Sequence, residues 1–139
     1  MAKIYPLFSS SKGNAIYIGN EKSGILIDAG VSCKRLVDGL ESNGLSPDAV
    51  RGIFVTHEHT DHIKGVRALA SKYGIDVYAS AGTLQKMDEC GKLCNKFNSF
   101  VIPDEGVEVG GMVVKGFATS HDCSQSLGYT VETPDERKL

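Results

Sequence analysis

The sequence has no long hydrophobic run, and its charges are nearly balanced. Apolar stretches such as Gly52–Val55 are far shorter than the roughly 18 residues that a membrane-spanning helix needs, so no such span is predicted. Fifteen Lys and Arg against 17 Asp and Glu give a net charge of -2, and the basic residues are scattered. A broad basic surface for nucleic acid is therefore excluded, whereas a local basic groove is not.

The sequence also lacks the features of export and of disulfide scaffolds. Its first eight residues contain one basic residue and one proline, with no apolar stretch of signal-peptide length, so we expect a cytoplasmic protein. The four cysteines form no repeated pair of metal-ligand spacing, and we interpret them as thiols that fill the core. Gly110-Gly111 lacks the Lys-Ser/Thr that a phosphate-binding loop would supply.

Hydrophobic periodicity predicts strands at both ends of the chain and helices in the middle. The helices are expected from a Ser32 cap to Asn43–Gly44, from just after a histidine cluster to Gly74, and from Ser80 to about Cys90. The first three strands should form an antiparallel meander. Strands are predicted near residues 4–7, 15–18, 25–28, 52–56, 76–79, 99–102, 107–109, 112–118 and 128–132. The pattern indicates one α/β domain with a mixed sheet and flanking helices.

Three of the four histidines lie within the six residues 57–62, together with the carboxylate of Asp61, between a buried strand and a helix. Imidazole nitrogen suits Zn²⁺, Fe and Mn²⁺, and a carboxylate adds charge balance, so this cluster predicts a metal site. The alternative is a solvated polar loop with a chance excess of histidine. One turn rarely closes a metal site by itself. The remaining histidine, His121, follows an apolar strand and is the remote ligand that we expect.

The spacing His57-x-His59-x-Asp61-His62, preceded by Ile25–Gly30 and followed about 60 residues later by His121, resembles the metallo-β-lactamase fold superfamily of metal-dependent hydrolases. Phe8–Asn14 and Ala118–Asp122 further resemble its YycJ/WalJ branch of bacterial cytoplasmic nucleases or phosphodiesterases. The resemblance implies the N-terminal portion of a four-layer αβ/βα sandwich.

The resemblance also implies two divalent metal ions, Zn²⁺ or Mn²⁺. His57, His59 and His121 would hold one metal, and Asp61 and His62 would hold the second. Asp61 would also act in catalysis by orienting or deprotonating the attacking water, which becomes a metal-bound hydroxide near neutral pH.

Two further segments have open interpretations. Asp28 would orient the histidine loop, or it is an ordinary strand-ending residue that makes a turn with Gly30. Ser9–Asn14 would form a loop at the rim of the site, or it is simply a hairpin turn.

The chain departs from the family pattern because no histidine follows His121, and no later Asp occupies a context that suits a bridge between two metals. We therefore expect residues 1–139 to be a metallo-β-lactamase-like domain truncated at its C-terminus. The leading functional hypothesis is a phosphodiesterase or nuclease acting on nucleic acid. One alternative is a thioester or lactone hydrolase of the same fold. Another is an inactive fragment with an incomplete second metal site, which forms a homo-oligomer through an exposed sheet edge.

Overall fold

The computed structural model describes residues 3–10, 13–57, 60–118 and 127–132, which contain nine strands, four α-helices and one short 3₁₀-helix (Pro47–Ala49). The strands are β1 (Lys3–Ser10), β2 (Gly13–Gly19), β3 (Gly24–Ile27), β4 (Val50–Phe54), β5 (Asp76–Ala79), β6 (Ser99–Val101), β7 (Val107–Val109), β8 (Met112–Ala118) and β9 (Leu127–Glu132). The helices are α1 (Cys33–Ser42), α2 (Thr60–Ile63), α3 (Val66–Tyr73) and α4 (Ala81–Glu89).

The strands form two sheets. The larger sheet has the order β1-β2-β3-β4-β5-β6, and β7-β8-β9 form the smaller one. The pairs β1-β2 and β2-β3 are antiparallel, which confirms the predicted meander, whereas β3, β4, β5 and β6 run parallel to one another. Because the central strands are parallel, the residues that follow β3 and β4 meet at one edge of the sheet.

Each central strand is buried on both faces, as a parallel sheet requires. Leu26, Ile53 and Val77 pack in a core that includes residues of α1, α3 and α4. Their neighbours Ile25, Phe54 and Tyr78 pack in a second core with residues of the smaller sheet. The layers are therefore helices, the six-stranded sheet and the three-stranded sheet. The predicted α/β class, with a mixed sheet and flanking helices, is confirmed.

The structure differs from the sequence prediction in the helix that follows the histidine cluster. Instead of one helix, α2 and α3 are separated at Lys64–Gly65. The amide of Gly65 donates to the carbonyl oxygen of Ala29 at 2.8 Å, and a Cβ on Gly65 would stand 2.2 Å from the carbonyl oxygen of Val31. The helix is interrupted because its backbone is held directly against the loop that follows β3.

The described cysteines occupy less buried positions than expected. Cys33 and Cys94 are half-buried against the main core, but Cys90 is exposed, so the interpretation as a core residue is wrong for Cys90. Its place just beyond the end of α4 explains the exposure. Cys123 lies outside the described residues.

The edge strand β6 exposes apolar surface. Phe100 and Val101 are 44% and 55% exposed, and β6 pairs with β5 alone within the described part of the chain. This is the edge at which the predicted homo-oligomer contact would lie, and the oligomeric state stays a prediction. None of the helices in the described ranges is both long and apolar enough to cross a membrane.

We predict that Gly65→Ala lowers the free energy of unfolding by about 3 kcal/mol, because the added methyl group overlaps backbone that cannot move away freely. Gly39→Ala in α1 is the matched control, since its Cβ would meet only the edge of the Phe8 ring, at 3.1 Å. The control should change stability by no more than about 1 kcal/mol. Urea denaturation measures both variants, and equal effects would contradict this account of Gly65.

Candidate metal centre

Asp28 lies immediately after β3, at the edge where the parallel strands end. Its φ of 64° is the left-handed conformation, which aspartate tolerates better than most residues with a side chain. Its amide still donates to the carbonyl oxygen of Phe54 at 2.8 Å, so the residue stays attached to β4 while its backbone turns. The side chain is thereby directed toward the residues that follow β4, and it is only 4% exposed.

Both oxygens of the Asp28 carboxylate accept hydrogen bonds from the histidine turn. Oδ1 accepts from the backbone amide of Thr56 at 2.8 Å. Oδ2 accepts from the Thr56 hydroxyl at 2.8 Å and lies 2.6 Å from Nδ1 of His62. A buried carboxylate is stable only when such partners replace its lost hydration, so these contacts account for a charged group at a buried position.

The hydrogen-bond network assigns the tautomers of both described histidines. A carboxylate can only accept a hydrogen bond, so Nδ1 of His62 carries a proton and donates to Asp28. The Thr56 hydroxyl uses its one proton toward Asp28, and it therefore accepts from Nδ1 of His57 at 2.9 Å. In its neutral form each ring then has its lone pair on Nε2. The two rings lie side by side, with centroids 3.8 Å apart and planes tilted by 47°.

Backbone hydrogen bonds hold α2 against the loop that carries Asp28. The amide of Ala29 donates to the carbonyl oxygen of His62 at 2.9 Å, and the carbonyl of Ala29 accepts from Gly65. The same loop is tied to β2, because the amide of Gly30 donates to the carbonyl oxygen of Asn14 at 2.8 Å. The His62 side chain is thus fixed both through its ring and through its own backbone.

Tyr129 of β9 contacts the same turn from the smaller sheet. Its hydroxyl donates to the carbonyl oxygen of Val55 at 2.7 Å, and its ring packs edge-on against Phe54 at 5.5 Å between centroids. Burial, together with the negative charge of Asp28, raises the pKa of the Tyr129 hydroxyl above its usual range. The protonated hydroxyl is therefore favoured, in agreement with its role as the donor to Val55.

The structure brings together three of the residues singled out in the sequence: Asp28, His57 and His62. Asp61 lies in α2, where only its backbone is described, and His59 and His121 lie outside the described residues. The metal-ligand roles of all five predicted ligands stay predictions. Asp28 follows β3 in the left-handed conformation and its carboxylate contacts His62, as the orienting role requires, while that role stays a prediction. No hydrogen bond joins Asp28 to Gly30 among the described residues.

The segment Ser9–Asn14 belongs to the β1-β2 hairpin, in which Ser9 pairs with Asn14 and Ser10 with Gly13. Residues 11 and 12 lie outside the description. Hence the hairpin interpretation is the one that the structure supports, while Asn14 reaches the loop of Asp28 through its carbonyl group.

Sequence reasoning did not single out Thr56 or Tyr129 as site residues. The position of Thr56 in the sequence could have indicated its role, because a hydroxyl residue directly before the first histidine can contact both that ring and an acid at the end of a neighbouring strand. Tyr129 had none, since one tyrosine among five on a predicted strand is ordinary sheet composition.

Comparison with known proteins identifies the family. Residues 11–137 match the family described as the metallo-beta-lactamase superfamily. The chain belongs to the metallo-beta-lactamase superfamily. Exodeoxyribonuclease YycJ of Bacillus anthracis is 36% identical to it, in an alignment that covers 96% of this chain and 50% of the relative. Exodeoxyribonuclease WalJ of Streptococcus pneumoniae is also 36% identical, in an alignment that covers 84% of this chain and 44% of the relative.

A solved metallo-β-lactamase of Cronobacter sakazakii with a HARLDQ motif has the same fold. It superposes with a TM-score of 0.84 at 19% identity, over 98% of this chain and 59% of that one. The metallo-β-lactamase-type fold and the resemblance to YycJ and WalJ predicted from the sequence are thereby confirmed. The chain spans about half the length of the curated relatives that it matches.

Membership of this superfamily implies divalent metal ions, and the described side chains fit such ions. Metal-binding histidines characteristically donate their second ring nitrogen to a carboxylate or another acceptor, as His62 does to Asp28 and His57 to Thr56. Within the described ranges no group of three or more His, Cys, Asp or Glu side chains is placed to bind a metal. The other predicted ligands, His59, Asp61 and His121, have side chains that lie outside the description.

We predict that Thr56→Val lowers the free energy of unfolding by about 1–3 kcal/mol, because Asp28 and His57 each lose a hydrogen-bond partner in a buried network. The affinity for Zn²⁺ should fall by about 10- to 100-fold, as is typical when a group that orients a ligand is removed. Thr56→Ser keeps the hydroxyl and is the matched control. Urea denaturation and calorimetric Zn²⁺ titration measure both effects, and equal behaviour of the Val and Ser variants would refute the role of the hydroxyl.

Proposed function

We propose that this chain belongs to a metal-dependent phosphodiesterase that cleaves nucleic acid. The observation that carries the proposal is the histidine turn after β4, in which Asp28 and Thr56 orient His57 and His62 for ligation through Nε2. The names of the two relatives, both exodeoxyribonucleases, support the substrate class.

In this proposal His57, His59 and His121 hold one divalent ion, and Asp61 and His62 hold a second. Zn²⁺ and Mn²⁺ are the candidate ions, because both accept imidazole nitrogen together with carboxylate oxygen. When bound, such an ion would lower the pKa of a water ligand to about 7 and would stabilise negative charge on the oxygens of a phosphodiester.

The protein groups then have distinct tasks. Asp61 orients the attacking water or removes its proton, in addition to binding metal. Asp28 accepts a hydrogen bond from the Nδ1–H group of His62, which leaves the lone pair of the neutral ring on Nε2. The Thr56 hydroxyl accepts a hydrogen bond from Nδ1 of His57 in the same way, while its own proton is donated to Asp28. These hydrogen bonds restrict the orientation of both rings, which reduces the ordering that metal binding would require.

The charge of the chain constrains how nucleic acid binds. With a net charge of -2, affinity has to come from a few local Lys and Arg contacts. Such binding weakens with added salt according to the number of phosphates contacted. A cytoplasmic location, where nucleic acid is at hand, completes the proposal.

We predict that the natural full-length protein hydrolyses DNA, RNA or a generic phosphodiester when Mn²⁺ or Zn²⁺ is added, and that chelation stops the reaction. The measurement is product release from labelled nucleic acid and from a chromogenic phosphodiester, with and without chelator. Thioester and lactone substrates serve as controls. Turnover of these controls with no cleavage of phosphodiesters would favour the alternative small-molecule hydrolase.

We further predict that His57→Ala abolishes hydrolysis and reduces bound metal, because it removes a ligand of the first ion. Cys90→Ala is the control, since it alters an exposed residue beyond the end of α4. Metal analysis and hydrolysis assays are carried out on both variants in the full-length protein. Unchanged metal content and activity in His57→Ala would rule out the proposed ligand set.

A further inference from the structure

The peptide unit between Val55 and Thr56 is hydrogen-bonded at both of its polar groups by side chains. Its N–H group, on Thr56, donates to Oδ1 of Asp28 at 2.8 Å. Its C=O group, on Val55, accepts from the hydroxyl of Tyr129 at 2.7 Å. Since the N–H and C=O groups of a trans peptide point in opposite directions, the two side chains fix the rotation of this one plane from its two sides.

The orientation of this plane determines where the histidine turn begins. Turning it would move the Thr56 side chain, whose hydroxyl connects Nδ1 of His57 to Asp28. The peptide lies beyond the end of β4, so the strand ladder no longer holds its carbonyl group. Val55 itself is fully buried, so water is a poor substitute for the tyrosine hydroxyl.

We propose that Tyr129 is a positioning residue for the metal site, acting through the Val55–Thr56 peptide on the ring of His57. The inference rests on the proposed function, because it assumes that His57 binds metal. Tyr129 belongs to β9 in the smaller sheet, whereas Asp28 and Thr56 follow strands β3 and β4 of the larger one. The hydroxyl therefore also makes the docking of the smaller sheet a condition for the correct orientation of the histidine turn.

The chain offers a closely matched control at the opposite end of the sheet. Tyr17 of β2 donates its hydroxyl to the carbonyl oxygen of Asn20 at 2.6 Å, and its ring makes an edge contact with Tyr5. Asn20 lies in the turn before β3 begins, whereas Asp28 lies beyond its end. Tyr17→Phe and Tyr129→Phe therefore each delete one hydroxyl bonded to a backbone carbonyl and keep the ring.

The experiment compares Zn²⁺ affinity, stability in urea and amide hydrogen exchange for the wild-type chain and both variants. Tyr129→Phe should bind Zn²⁺ about tenfold more weakly, at the low end of the effect of losing a group that orients a ligand. Tyr17→Phe should lose stability but keep the wild-type affinity. Exchange of the Thr56 amide should accelerate in Tyr129→Phe alone, because its peptide is then held from one side.

Three outcomes would overturn the inference: wild-type Zn²⁺ affinity in Tyr129→Phe, an equal loss of affinity in both variants, or failure of Tyr129→Phe to fold while Tyr17→Phe folds. The last two would mean that the hydroxyl serves stability alone. A wild-type chain that binds no Zn²⁺ would contradict the proposed function instead. Exchange of the Thr56 amide would then decide by itself whether Tyr129 orders the peptide.

Discussion

The buried carboxylate of Asp28 is the group on which the candidate site depends. It accepts hydrogen bonds from the backbone amide of Thr56, the hydroxyl of Thr56 and a ring nitrogen of His62, so one carboxylate orders three different groups. A buried carboxylate without these partners would be strongly disfavoured, and the partners without the carboxylate would lose their common acceptor. Such networks stabilise a unique arrangement when complete and are costly when one member is missing.

The fold supplies this carboxylate in three steps. Parallel pairing of β3 with β4 brings Asp28 beside the residues that follow Phe54. The left-handed conformation of Asp28 then turns its side chain across the strand ends while its amide remains in the ladder. Finally, the N–H and C=O groups of Ala29 form hydrogen bonds with His62 of α2 and with Gly65, and these bonds hold both against the same loop. The site is therefore a property of the strand ends, where ligand sites of open parallel sheets usually lie.

Much of the fold could be predicted from sequence because its signals are local. The β-branched runs, the Ser32 and Ser80 caps and the glycine at the end of α3 each act on neighbouring residues. The histidine cluster could likewise be recognised because its members are adjacent. The break between α2 and α3 could not be predicted, since it follows from the contact of Gly65 with Ala29 and Val31, residues more than thirty positions away.

The same distinction explains what was missed in the site. That Asp28 orients the histidine loop was anticipated only through the family resemblance, and its contact with His62 was not, because no local pattern connects residues 34 positions apart. Tyr129 was missed altogether, since its partner is a backbone carbonyl 74 positions earlier, and a carbonyl group has no signature in a sequence. Contacts between side chains and distant backbone are invisible to periodicity and to motif spacing alike.

The separation between Tyr129 and Val55 has a consequence for the order of folding. Loops that join distant residues close late, because the entropy of closure has to be met before the contact forms. During synthesis from the N-terminus, the first six strands and all four helices emerge before β9 does. The histidine turn thus exists for a time without the hydrogen bond from the Tyr129 hydroxyl to the carbonyl oxygen of Val55. We expect the histidine turn of the nascent chain to reach its final order only after β9 has docked.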